Sequence, residues 1–276
     1  MWPLGVGLAV VIVVLAVFAS QQGGGDGAGG PLNAIAEAAV KTQDEGGGRA
    51  AMRAVVTEPG RSEPITMTGR VVYDAAGMAS GTVTMPDPES SDSVKLEYVQ
   101  DGAKMYMRSS RFGTLPEGRD WMGIDLSFGE GLDNSLPAGS DAKGELELLE
   151  KATGGVDKVG KENVRGVPTT RYRGKVSPSK SAKRWREVGA EKTASYAEER
   201  GVPLRIEAWI DAKGLVRRMR VVQLRPEEGG KGPTSMDMRI DFFDFGLEPE
   251  IDVPDSSEVF DATALVQEQL DASSDE

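Results

Sequence analysis

Histidine and cysteine are both absent from the 276 residues. The two side chains that most often supply acid–base or nucleophilic chemistry near neutral pH are therefore not available. No Ser-His-Asp arrangement can form, no GxSxG elbow occurs, and no zinc site of His or Cys ligands is possible. No GxxxxGK[ST] loop is present to cradle phosphates. Carboxylates are plentiful, and a pair of them would serve glycoside hydrolysis, yet no spacing selects a pair. Asp87, Glu89 and Asp92 alternate loosely, without the glycine and terminal glutamate of an EF-hand loop, and read as a solvated loop. The sequence thus yields no catalytic residue, no metal ligand and no cofactor site, and an enzyme is not expected.

Methionine carries more information. Ten methionines follow Met1, and most fall on the apolar side of a strand pattern, where Val, Ile and aromatic residues would be usual. Methionine is unbranched and adaptable, and surfaces that accommodate variable apolar partners use it heavily. Two readings fit: an ordinary methionine-filled core, which is the simpler, or the lining of a ligand cavity. Strand alternation selects Met67, Val71, Tyr73, Met85, Leu96, Tyr98, Met105, Met107, Met236, Met238, Ile240 and Phe242 as candidate lining residues. Basic residues cluster twice, around Trp185 (Lys175, Lys180, Lys183, Arg184, Arg186) and at Arg217, Arg218 and Arg220. These could meet anionic headgroups, but a solvated helix face and a charged edge strand explain them more simply.

The elements that must position these residues are mostly strands. From Arg49 the hydrophobic period is two, with alternating runs at 65–73, 83–85 and 94–98. Gln100-Asp101-Gly102 then turns the chain into Met105 and Met107, a hairpin signal. Residues 115–139 read as a long ordered loop, 146–152 as a helix, and 156–161 and 164–176 as a strand pair with an irregularity at Gly166-Val167-Pro168. Residues 181–200 read as a charged helix. Strands return at 204–210 and 215–224 around a turn at 212–214, and the alternation from Met236 to Phe242 is the clearest in the chain. The end is acidic. A sheet with one apolar face must cover it with helices, a second sheet or a ligand, and few helices are on offer.

The first residues decide where this sheet works. Trp2 to Ala19 are eighteen uncharged residues, and a helix of that length spans about 27 Å, close to the thickness of a bilayer core. No Lys or Arg precedes Lys41, so the basic start of a secretory signal is missing, although Val17-Phe18-Ala19 before Ser20 is an acceptable cleavage site. A signal anchor, a cleaved signal and a true start upstream of Met1 all remain compatible. Residues 1–20 are thus the signal anchor or signal peptide and 21–31 a Gly-rich linker. A short helix follows Pro31, the folded domain runs over 32–264, and 265–276 is an acidic tail. The net charge of −12 excludes duplex nucleic acid as an expected partner.

Several runs together carry a resemblance: KMYMR (104–108), LPEGRDWMGID (115–125), VRGVPTTRYRGKV (164–176), IEAWIDAKGLVRRMRV (206–221) and IDVPDSSEVFDAT (251–263). With the export segment they resemble the LolA/LppX/LprG-like superfamily of extracytoplasmic lipid carriers, over nearly the whole soluble region. The resemblance implies an α+β, mostly antiparallel fold: a curved half-open β-barrel whose concave apolar face is covered by helices. It also implies a hairpin turn at Asp211 to Gly214, a closing segment after Pro249 to Pro254, and binding of acyl chains or a lipidated partner in the cavity. Many relatives carry a lipobox cysteine; here Ser20 stands about where it would be, so an N-terminal helix or simple secretion replaces acylation. The expected protein is membrane-tethered on the extracytoplasmic side, or secreted if cut after Ala19, with a hydrophobic ligand. The alternative is an envelope-sensing module of the same fold that grips a protein partner and carries no lipid.

Overall fold

The computed structural model describes residues 38, 41–42, 44–87, 90, 92–125, 153–176, 179, 204–225 and 234–274. The apolar segment 2–19, the linker 21–31 and the expected helices at 146–152 and 181–200 lie outside the described residues. Among the described residues no helix is long and apolar enough to cross a membrane.

Alternating burial builds the sheet. In β1 (Gly47–Thr57), Ala50, Met52, Ala54 and Val56 are buried while Arg49, Arg53 and Thr57 are exposed, the period-two pattern of a strand with one dry face. The same pattern runs through β2 (Ile65–Tyr73), β4 (Ser93–Asp101) and β5 (Lys104–Ser109) and more loosely through β3 (Ala79–Pro86); β6 (Trp121–Asp125) follows without it. After residues 126–152 the chain re-enters as β7 (Thr153–Val164), β8 (Val167–Val176), β9 (Leu204–Asp211), β10 (Val216–Arg225) and β11 (Thr234–Leu247), and then makes the short β12 (Val259–Asp261). All twelve strands form one sheet in the order β12-β6-β5-β4-β3-β2-β1-β11-β10-β9-β8-β7. The chain starts at the centre, meanders to one edge, re-enters at the other edge and meanders back until β11 pairs with β1. Every pairing is antiparallel except β12 with β6.

One face of this sheet gathers residues from β6 (Ile124) to β9 (Ile210) into a single buried cluster. A flat sheet of that width could not converge on one core, so the sheet curves around its apolar face while its edges stay open. Two pieces off the sheet join the cluster. Ala38 is buried, and Thr42 ties its short helical stretch to β10: the Thr42 hydroxyl donates to the Ala38 carbonyl at 2.5 Å and accepts from the Val216 N–H at 2.8 Å. At the opposite edge Ala262 is buried and Val266, on the helix α1 (Thr263–Ser274), packs against the cluster.

The structure differs from the sequence reading at four places. Trp121–Asp125, read as loop, is a strand paired on both sides, antiparallel with β5 and parallel with β12. Five residues around a glycine are too few to show alternation, and their partner β12 is more than 130 residues away. Val164 belongs to β7, and the hairpin turns at Arg165-Gly166, both at positive φ (49° and 82°). That geometry is the type I′ turn whose twist suits adjoining strands. The basic β10 is an interior strand, flanked by β9 and β11, not an edge. Most of the acidic end forms α1.

Candidate functional site

All twelve candidate lining residues share the inner face. Ten are buried within the one cluster: Met67, Val71 and Tyr73 on β2, Leu96 and Tyr98 on β4, Met105 and Met107 on β5, and Met238, Ile240 and Phe242 on β11. Met85 on β3 and Met236 on β11 are partly buried and pack against it. The strand β1 completes the set. It lies between β2 and β11, with Ala50 opposite Phe242 and Val71, Met52 opposite Ile240, and Ala54 opposite Met238 and Met67. These β1 residues escape a sequence reading because alanine stands on both faces of the strand, at 50 and 54 inside and at 51 outside. The signal that could have found them is the Arg49, Arg53 alternation on the other face.

The inner face has a floor of small residues under large ones. A Cβ on Gly81 would meet the Tyr98 ring at 3.1 Å, and one on Gly69 would meet the Met52 Cε at 3.2 Å. Tyr98 and Met52 therefore lie down over strand backbone that only glycine leaves clear. Methionine is unbranched, with three rotatable bonds, and adapts to irregular gaps.

Polar groups also sit in this apolar setting, two of them on β4. The Tyr98 hydroxyl and the Gln100 side-chain carbonyl occupy successive inner-face positions of β4, and neither has a hydrogen-bond partner among the described residues. The Gln100 amide nitrogen does donate, to the Gly102 carbonyl at 3.2 Å. Burial pushes the Tyr98 hydroxyl well above the usual phenol range, so it stays protonated and able to donate. A buried polar atom left unpaired costs about 1–3 kcal/mol.

The outer face differs in kind. On the side formed by β1 and β7 to β11 it carries arginines and carboxylates in ordered pairs. The Glu207 carboxylate, with its side chain 2% exposed, accepts from Arg171 at 2.9 Å and from Arg173 at 2.7 Å. Burial alone would raise its pKa, but the hydrogen bonds from Arg173 and Arg171 outweigh it and hold the group below the usual carboxylate range. Asp241 takes Arg218 on both oxygens (2.6 and 2.8 Å), and Asp237 takes Arg220 likewise (2.8 and 2.5 Å). The Trp209 indole N–H donates to Glu162 at 2.9 Å, and the ring lies beneath the Arg171 and Arg218 guanidiniums. Among the described residues no group of three or more acidic side chains could hold a metal ion.

No family model matches the chain. A protein of Streptomyces griseus, an uncharacterized 31.2 kDa protein of the rplA–rplJ intergenic region, is 25% identical over 222 residues, covering 74% of this chain. The chain spans about 65% of that relative's length. Solved structures similar to it include two mycobacterial proteins. The lipoprotein LppX of Mycobacterium tuberculosis is 15% identical, over 80% of this chain and 97% of its own, with a TM-score of 0.46. LprF of Mycobacterium bovis is 14% identical, over 83% and 99%, with a TM-score of 0.38.

Proposed function

We propose that the protein is an extracytoplasmic binding protein that holds a hydrophobic ligand, with acyl chains as its apolar part, against the inner face of a half-open barrel. The observation that carries this reading is the make-up of that face: methionine and tyrosine side chains over a glycine floor, with the Tyr98 and Gln100 oxygens without a hydrogen-bond partner among the described residues. An acyl chain sliding between the side chains and the sheet would gain roughly 0.8 kcal/mol per buried methylene. A carboxyl or ester oxygen at its head would accept a hydrogen bond from the Tyr98 hydroxyl. The apolar segment 2–19 would keep this face close to a bilayer, the source of such ligands, whether as an anchor or as an export signal cut after Ala19. Helices from the regions around 32–44 and 263–274 would close over the ligand.

Displacement of a fluorescent fatty acid tests the reading. The wild-type chain takes up the probe and releases it to unlabelled fatty acid. Tyr98→Phe keeps the ring over Gly81 and removes only the donor. It should weaken fatty-acid binding by roughly threefold to tenfold, the worth of one hydrogen bond, while its urea unfolding midpoint stays equal or rises. Absence of probe uptake by the wild type, or equal affinities in both proteins, contradicts the assignment.

A further inference from the structure

The outer face holds a depression of about 270 Å³ that the inner-face ligand does not explain. Its walls carry five arginines, Arg53, Arg171, Arg218, Arg220 and Arg239, against two carboxylates, Glu162 and Asp237, with Trp209 beside them. This balance is unusual in a chain of net charge −12.

Strand register makes the excess local. Arg53 on β1 is directly opposite Arg239 on β11, which is directly opposite Arg220 on β10. Three like charges in one cross-strand row destabilise a sheet unless anions answer them. The protein's own anions are already committed. Asp237 is occupied by Arg220, both oxygens of Asp241 by Arg218, and Glu207 by Arg171 and Arg173. Among the described residues Arg239 makes one ion pair, with Asp241 at 3.7 Å, Arg53 makes none, and both act on the Asp237 charge only from a longer range, without a hydrogen bond to it. The buried Arg171 Nε also lacks a partner among the described residues. Fixed carboxylates thus hold Arg218, Arg220 and Arg171 in place, and two arginines on the rim are left to bind. A volume a little below that of pockets for drug-sized ligands suits a compact anion. Planar guanidinium forks favour one with several oxygens, as in phosphate.

We propose that this depression is a binding site for a phosphate group, carried by a free phosphate compound or by a phospholipid headgroup. The site lies on the face opposite the proposed ligand face and does not depend on it. Its sequence trace was the Arg217, Arg218, Arg220 run, whose meaning changes once β10 is an interior strand with Arg239 and Arg53 beside it.

The test uses the full chain and the double variant Arg53→Gln, Arg239→Gln, which keeps the hydrogen bonds of Arg171 and Arg173 to Glu207, of Arg218 to Asp241 and of Arg220 to Asp237, and removes only the longer 3.7 Å contact of Arg239 with Asp241. Inorganic phosphate and pyrophosphate are titrated at constant ionic strength against chloride, with heat and tryptophan fluorescence as readouts, since Trp209 stacks under two of the arginines. In parallel, both proteins are sedimented with phosphatidylcholine vesicles with and without phosphatidylglycerol. The proposal expects saturable binding of a phosphate probe or of the anionic vesicles, weakened at least tenfold in the double variant at an unchanged or higher urea midpoint. Response to the soluble probes assigns free phosphate compounds; response to phosphatidylglycerol vesicles alone assigns a headgroup. Titrations matching chloride with no vesicle preference, or equal affinity in both proteins, overturn the proposal and leave the arginines a purely structural network.

Discussion

Glu207 is the residue on which the outer face turns. It is 1% exposed, yet it is charged, because Arg171, Arg173 and Arg220 surround it. Removing one partner of a buried ionic group leaves the others uncompensated, a loss of about 3–5 kcal/mol. Glu207→Gln should therefore lower the urea stability of the domain by about 3 kcal/mol. Glu97→Gln, at an exposed acceptor of Lys95 and Arg108, should lower it by less than about 1 kcal/mol. The same groups set the acid limit. Glu207 and Asp237 both have carboxyls depressed below their ordinary values, Asp237 through its hydrogen bonds from Arg220. A depressed carboxylate stabilises the fold fully above its unfolded pKa, about 4, and that contribution is lost as pH falls through the folded value. Circular dichroism should find a plateau above about pH 5 and a loss of stability below about pH 4. Glu207→Gln should remove a large part of that acid slope.

At the scale of elements, strands were legible where alternation was long and bounded by turn residues. The runs of β2, β4, β9 and β11 stand in the sequence almost as they stand in the sheet, and Asp211 to Gly214 is the turn expected, with Asp211 Oδ1 accepting from the Lys213 and Leu215 N–H groups. Two kinds of element were not legible. β6 is short and exists through partners, one of them the distant β12. The inner face of β1 is built from alanines, too small to mark a face by themselves. The candidate site was legible as a set of residues, since all twelve meet on one face; its glycine floor and unpaired Tyr98 oxygen depend on cross-strand register, which no local pattern encodes. The tie between the helical stretch at 38–44 and β10 also depends on tertiary contact. Thr42→Val keeps the shape but leaves the Val216 N–H buried without its acceptor, so it should cost about 1–3 kcal/mol. Hydrogen exchange should show the Val216 amide losing protection in that variant, with the β3–β4 amides unaffected.

The whole molecule presents two unlike faces on one curved sheet: an adaptable apolar interior and an arginine-rich exterior held by fixed carboxylates. The central claim is that the interior takes up a hydrophobic molecule. A photoactivatable fatty acid, crosslinked to the full chain in membranes and mapped by peptide mass, addresses it most directly. The account predicts label on peptides of β2, β4, β5 and β11, those that carry Met67, Tyr98, Met107 and Met238, competed by unlabelled fatty acid. Label absent from these strands, or confined to residues 1–31, would contradict it.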